Sequence, residues 1–263
     1  MVDRLDKFLR GFRDSRSREY VLTTRLVHDL SVAAAASGYN LLVYLPTVDA
    51  DGFDVILDDR DRLVAIQLKS VVRGGKAAGW RIRRSLVRPE PEQADLFGFE
   101  CSPNGTGRGG GVILTTAAAV GENVEVGYSY TDIMVLSVLW SGIVSRPQPQ
   151  QDRLRRLRKD LESEATGSVE IPRSAFLPAA TPAKLLALMG LHSHVQSAWR
   201  SQMSHLLRHE NLRADLPAPA ATLRTGIADE LQGLASRPGN NGLQSAAAGA
   251  TMSRRGSPPA VSS

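Results

Sequence analysis

Cysteine is almost missing from this chain: Cys101 is the only one in 263 residues, so no disulfide can form within it, which fits a reducing cytoplasm. Long hydrophobic runs are missing too. The longest, Ile133 to Val144, is interrupted by Ser137, Ser141 and Gly142 and is shorter than the roughly 20 residues of a spanning helix, so no membrane span is expected. The first twenty residues carry Arg, Asp and Lys where a secretory signal would have an apolar centre, which argues against export. What is present, 42% hydrophobic and 22% charged residues, suffices for one sizeable core over a length that suits one or two domains.

Charge is unevenly placed. Residues 1–145 hold 17 Lys and Arg against 18 Asp and Glu, whereas residues 146–263 hold 15 against 9. Inside the near-neutral half, Arg60 to Arg88 contains nine basic residues and one acid, Asp61. A local basic stripe suits a polyanion such as nucleic acid better than a small acidic substrate, although a solvated charged surface has the same composition.

Hydrophobic spacing predicts a helix from Ser15 to Ser37, with Leu22, Leu26, Leu30 and Ala33 on one side and Gly38 as its stop. Three strand-like runs follow, Leu41 to Leu45, Phe53 to Asp58 and Leu63 to Ser70, separated by turn-forming residues. A fourth, basic run covers Trp80 to Val87. Pro89 and Pro91 open a short helix through Phe99, and the glycine-rich loop Asn104 to Gly111 leads to a buried strand, Val112 to Thr116. A strand near Val124 to Tyr130 and an apolar helix over Asp132 to Ile143 complete a main domain, 1–145. Residues 146–213 read as a helical extension: a charged helix over Gln150 to Ala165 with Leu154, Leu157 and Leu161 on one face, then a helix from Thr181 towards Arg213, broken at Gly190. Residues 214–263, rich in Ala, Pro, Gly and Ser, read as a disordered tail.

The chemistry concentrates between Asp51 and Ser70. Strand alternation puts Gln67 and Lys69 on one face, and a four-residue turn at Asp59 to Arg62 sets Asp54 opposite Gln67. Glu19 precedes Leu22, Leu26 and Leu30 by three, seven and eleven positions, which places it on the helix stripe that packs on the sheet. A carboxylate there needs a partner: Lys69, or a cation held by Asp54. Two carboxylates, an amide oxygen and water make a hard oxygen site suited to Mg²⁺ or Mn²⁺. Each residue also has a plainer explanation: a surface Asp near a turn, a surface Glu, and the exposed face of an amphipathic strand.

An acid on a helix, an Asp opening the second strand of a hairpin and Gln-x-Lys on the next strand together resemble the PD-(D/E)XK nuclease superfamily, in its variant with Gln at the second acidic position. The resemblance covers residues 15–116 and extends to the order helix, three strands, helix, strand. It implies an α/β, restriction-endonuclease-like core with a three-stranded β-meander, and metal-dependent phosphodiester hydrolysis of DNA. Asp54 would be the main metal ligand, Glu19 a ligand from the helix, and Lys69 the group that orients or activates the attacking water. Gln67 departs from the pattern by offering a neutral oxygen, and Phe53 stands where the motif has proline. The alternative is a nuclease-fold module without catalysis that binds nucleic acid or a partner protein.

Lys76, Arg81, Arg83, Arg84 and Arg88 are the expected phosphate contacts, positioning DNA without reading its sequence. Such nucleases often act as dimers, and the apolar helix at Asp132 to Ile143 is the one segment that suggests a homodimer interface. Gly105 to Gly110 satisfies G-x-G-x-x-G but precedes a strand, so it reads as a flexible loop rather than a dinucleotide site. Asp49 and Asp51 read as turn residues and His205 with His209 as a partly exposed helix face.

Overall fold

A computed structural model describes residues 2–11, 13–46, 52–191 and 198–236; Asp49 and Asp51 lie outside these. Two helices open the chain, α1 (Val2–Arg10) and α2 (Ser15–Ala36). In α2 the buried residues are Leu22, Leu26, Leu30 and Ala34, a row at four-residue steps along one helix face. Gly38, at φ +84°, follows its end.

An antiparallel meander follows: β1 (Leu42–Tyr44), β2 (Val55–Asp58) and β3 (Leu63–Val72). The turn between β2 and β3 is held by its own acids. Asp59 N–H donates to Arg62 O at 3.1 Å, and Asp59 Oδ1 accepts from the N–H groups of Asp61 and Arg62 at 3.0 and 2.6 Å. The resulting register, Val55 opposite Ile66 through Asp58 opposite Leu63, is the one a four-residue turn requires.

The chain then leaves the sheet through β4 (Gly79–Arg83), α3 (Arg84–Val87) and α4 (Ala94–Phe97) and returns as β5 (Gly111–Val120), parallel to β3. The expected fourth strand therefore stops at Arg83. Antiparallel β6 (Asn123–Asp132) leads into α5 (Ile133–Trp140), α6 (Gln148–Glu162), β7 (Ser168–Pro172), β8 (Leu177–Ala179), α7 (Pro182–Met189), α8 (Ala198–Leu212) and α9 (Ala220–Ala235). The main sheet is mixed, in the order β1-β2-β3-β5-β6-β8, and β4 pairs with β7 in a separate ribbon.

Several expectations need correcting. Residues 146–213 are not purely helical and do not stand apart: β8 forms an edge of the main sheet, β7 pairs with β4, and Leu154, Leu185 and Trp199 share one buried cluster with Val55, Ile66 and Ile113. Short strands such as β8 carry too few residues for alternation to reveal them. The tail reading fails for 220–235. Composition hid the row Leu223, Ile227, Leu231, which is buried in α9, and Glu230 Oε2 accepts the Trp199 N–H at the start of α8 at 2.7 Å. Residues 237–263 lie outside the described ones. The apolar α5 is buried on nearly all sides, covered by the chain itself rather than left for a second copy.

The glycine loop is packed, not loose. A side chain at Gly107 would strike the Ser85 carbonyl, and one at Gly110 the Ala65 carbonyl and Leu86, so glycine lets the loop pass directly against β3 and α3. Among the described residues, no helix is long and apolar enough to cross a membrane.

Two buried polar contacts tie the layers together. Tyr128 on β6 donates to Asp29 of α2 at 2.8 Å. Burial raises the Asp29 pKa, but hydrogen bonds from Tyr128, Arg25 and His28 and the charge of Arg25 outweigh it and hold the carboxyl below its ordinary 3.8. At the C-terminal end of β6, Asp132 binds Arg200 of α8 at 2.6 Å, Tyr130 OH at 3.1 Å and Val135 N–H at 2.8 Å, while Arg200 also donates to Leu188 O.

A depressed carboxyl pKa contributes stability that is present above the ordinary value and lost as pH falls through the folded-state pKa. Asp29→Asn is therefore expected to be less stable than wild type at neutral pH, with the gap closing on acidification below the Asp range, as read by urea unfolding at a series of pH values. Arg200→Met strands a buried carboxylate and is expected to cost about 3 kcal/mol at pH 7 in the same assay.

Candidate functional site

β3 lies at the centre of the candidate site because it is bonded on both edges, to β2 and to β5. The β2–β3 ladder ends at Val55 opposite Ile66, and Asp54 sits in a bend one residue before it. Its N–H donates to Ile66 O at 2.8 Å, and its Oδ2 accepts the Leu68 N–H at 2.6 Å. The Asp54 backbone and carboxylate together thus hold β3 on both sides of Gln67. Strict alternation does not extend to Asp54, and these two bonds reach the backbone of Ile66 and Leu68 rather than the Gln67 side chain.

Gln67 is half-buried, and its Oε1 is sealed from solvent with no hydrogen-bond partner. An unmatched buried amide oxygen costs about 1–3 kcal/mol, so it calls for either a ligand or a functional reason.

Lys69 and Glu19 meet at a pocket of about 240 Å³ between the start of α2 and β3. Leu68 links the two halves, since it takes the Asp54 carboxylate on its N–H and also lines this pocket. Asp54 and Gln67 do not line it; they stand beside it. Glu19 is exposed, which corrects its expected place in the packed stripe: the first buried residue of α2 is Leu22, and the turn before it lines the pocket over β3 and β5. No ion pair joins Glu19 to Lys69 among the described residues.

Sequence reasoning missed Thr23, Ser70, Thr115 and Trp80 in the same pocket. Ser70 and Thr115 face each other across the β3–β5 pair, a parallel contact with no local signal in the sequence. Trp80 had one, as the aromatic residue next to the basic run. It packs edge-on against Phe176, with centroids 5.6 Å apart.

The basic residues divide into two groups. Lys76, Arg81 and Arg83 are exposed, and Arg81 and Arg83 flank buried Ile82 on β4, the strand that also brings Trp80 to the pocket. Arg84 is partly buried. Arg88 is only 2% exposed, and its guanidinium donates to Leu161 O at 2.9 Å, to Ala165 O at 3.0 Å and to the carbonyls of Asn104 and Ser163. It braces the loops around α6 and is not a surface contact for DNA, as it had been expected to be. Burial and then the charge of Arg84 lower its pKa.

The oxygen donors match a hard divalent cation in kind: the Asp54 carboxylate, the orphaned Gln67 Oε1 and, across the pocket, the Glu19 carboxylate. The acids alone do not make a cage, for no group of three His, Cys, Asp or Glu side chains is gathered among the described residues. The Gln67 oxygen, one of six buried side-chain atoms left without a partner among the described residues, is the donor that a cation there would pair.

Replacing Gln67 by Met removes the unmatched oxygen while keeping the side chain's length. In chelator, Gln67→Met is expected to be more stable than wild type by about 1 kcal/mol in urea unfolding.

No family model matches this chain, and no match is found among curated proteins or solved structures.

Proposed function

We propose that the protein hydrolyses phosphodiester bonds in DNA with the help of a divalent cation, on a core similar to that of the PD-(D/E)XK nucleases. The observation that carries this reading is the buried, partnerless Gln67 Oε1 beside a β3-bound Asp54 carboxylate. The order α2, an antiparallel β1-β2-β3 meander, a helical crossover and parallel β5 supports it as well. Exposed Arg81 and Arg83 on the strand that borders the pocket supply positive charge for a phosphate backbone.

In this reading Asp54 and Gln67 would hold Mg²⁺ or Mn²⁺, with Glu19 contributing from α2. The bound cation would neutralise charge developing on the phosphoryl oxygens and lower the pKa of a water. Lys69 lines the same pocket as Glu19 and would orient the water for attack. Asp54 is fixed against β3 by its Leu68 bond, which orients the carboxylate.

A second reading, a nuclease-like module that binds DNA without cutting it, is favoured by the neutral Gln67 and by the lack of a gathered trio of ligating side chains. Cleavage of plasmid and branched DNA decides between them. With Mg²⁺ or Mn²⁺ the wild type is expected to cut, chelator to abolish cutting, and Asp54→Ala and Lys69→Ala each to lower the rate at least about 100-fold. Absence of cutting, with DNA held at low salt and released at high salt, would establish the binding module instead.

A further inference from the structure

We propose that a second pocket, built at the corner where β4 turns into α3, binds a phosphate group. It has a volume of about 470 Å³ and is lined by Arg83, Arg84 and Arg88. The rest of its wall is polar and neutral, with the hydroxyls of Ser85, Thr106, Thr166 and Ser168 and no carboxylate.

The charge balance requires an anion. Arg88 is buried, yet all four of its acceptors are backbone carbonyls. Arg84 donates through Nη1 to another carbonyl, that of Asp160, and its Nε is sealed from solvent without a partner. Neither forms an ion pair among the described residues. Some compensation comes from the C-terminal end of α6, which contributes the Asp160 and Leu161 carbonyls, but a helix end carries only about half an elementary negative charge. Two adjacent guanidinium groups and exposed Arg83 at the rim exceed that several-fold, and an unmatched buried charge is costly.

The structure therefore leaves a cationic, hydroxyl-lined cavity with one unused guanidinium donor. A tetrahedral oxyanion neutralises the pair and accepts from the hydroxyl groups and from Arg83 at the rim. Arg84 and Arg88 supply charge and hold the walls; Arg83 supplies the contact. The pocket shares the basic stripe with the nucleic-acid reading above, but it needs no cation and no cleavage.

Isothermal titration of the full chain with inorganic phosphate tests this, using wild type, Arg84→Ala, Arg83→Glu and Asp54→Ala. Wild type and Asp54→Ala are expected to bind phosphate equally, and the two arginine variants at least about tenfold more weakly. Arg83 is exposed and its side chain makes no hydrogen bond or ion pair among the described residues, so Arg83→Glu keeps the phosphate test valid if Arg84→Ala does not fold. A DNA oligonucleotide without a terminal phosphate separates the two sources of the group. A larger loss of DNA binding in Arg83→Ala than in Arg81→Ala, which lies on the same strand but outside the pocket, identifies a backbone phosphodiester, and an equal loss identifies a free or terminal phosphate. No binding of inorganic phosphate by folded wild type, or equal affinity in wild type and both arginine variants, overturns the proposal. A wild type that cuts DNA but binds no phosphate would sink this pocket alone, and a wild type that binds phosphate without any cutting would sink the catalytic reading alone.

Discussion

The double pairing of β3 governs everything placed near it. Antiparallel bonds to β2 on one edge and parallel bonds to β5 on the other hold its backbone from Leu63 to Val72, and a strand bonded on both sides cannot slip register without turning its whole buried face outward. Val64 and Ile66 are thereby committed to the core, while Gln67 and Lys69 remain half-buried. Asp54 completes the arrangement. As β2 diverges, its carboxylate takes up the Leu68 N–H and continues the ladder through a side chain.

From β3 outward the molecule is organised by what closes each layer. α2 is anchored to the middle of β6 through Asp29 and Tyr128, and α8 to the C-terminal end of β6 through Arg200 and Asp132. α9 in turn caps α8 through Glu230, where burial raises the carboxyl pKa and the backbone N–H groups of Trp199 and Ala198 oppose that rise. The C-terminal segments are therefore part of the main core. Polar bonds fix orientation, and apolar burial between them supplies the driving force.

Positive charge is divided in a way that composition alone does not reveal. One part, Lys76, Arg81 and Arg83, stays in water. The other, Arg84 and Arg88, is drawn inward against the end of α6 and is only partly compensated there. The first can guide a polyanion at long range, and the second offers a defined cavity at short range.

Local pattern was enough for much of this. The leucine row of α2, the acidic turn at Asp59 to Arg62 and the hairpin register from Val55 to Asp58 all follow from spacing, because helix and strand periods act over a few residues. The pairing of Asp54 with the Gln67 region was also legible, although through a bond to Leu68 that alternation does not describe. Only the tertiary structure decided that Glu19 lies at an exposed rim, that Arg88 is buried under four carbonyls, and that Ser70 meets Thr115. It likewise decided that β8 and α9 belong to the core. Each of these depends on which distant segment covers a residue, and coverage is set by long-range packing that a single residue's neighbours in sequence do not encode.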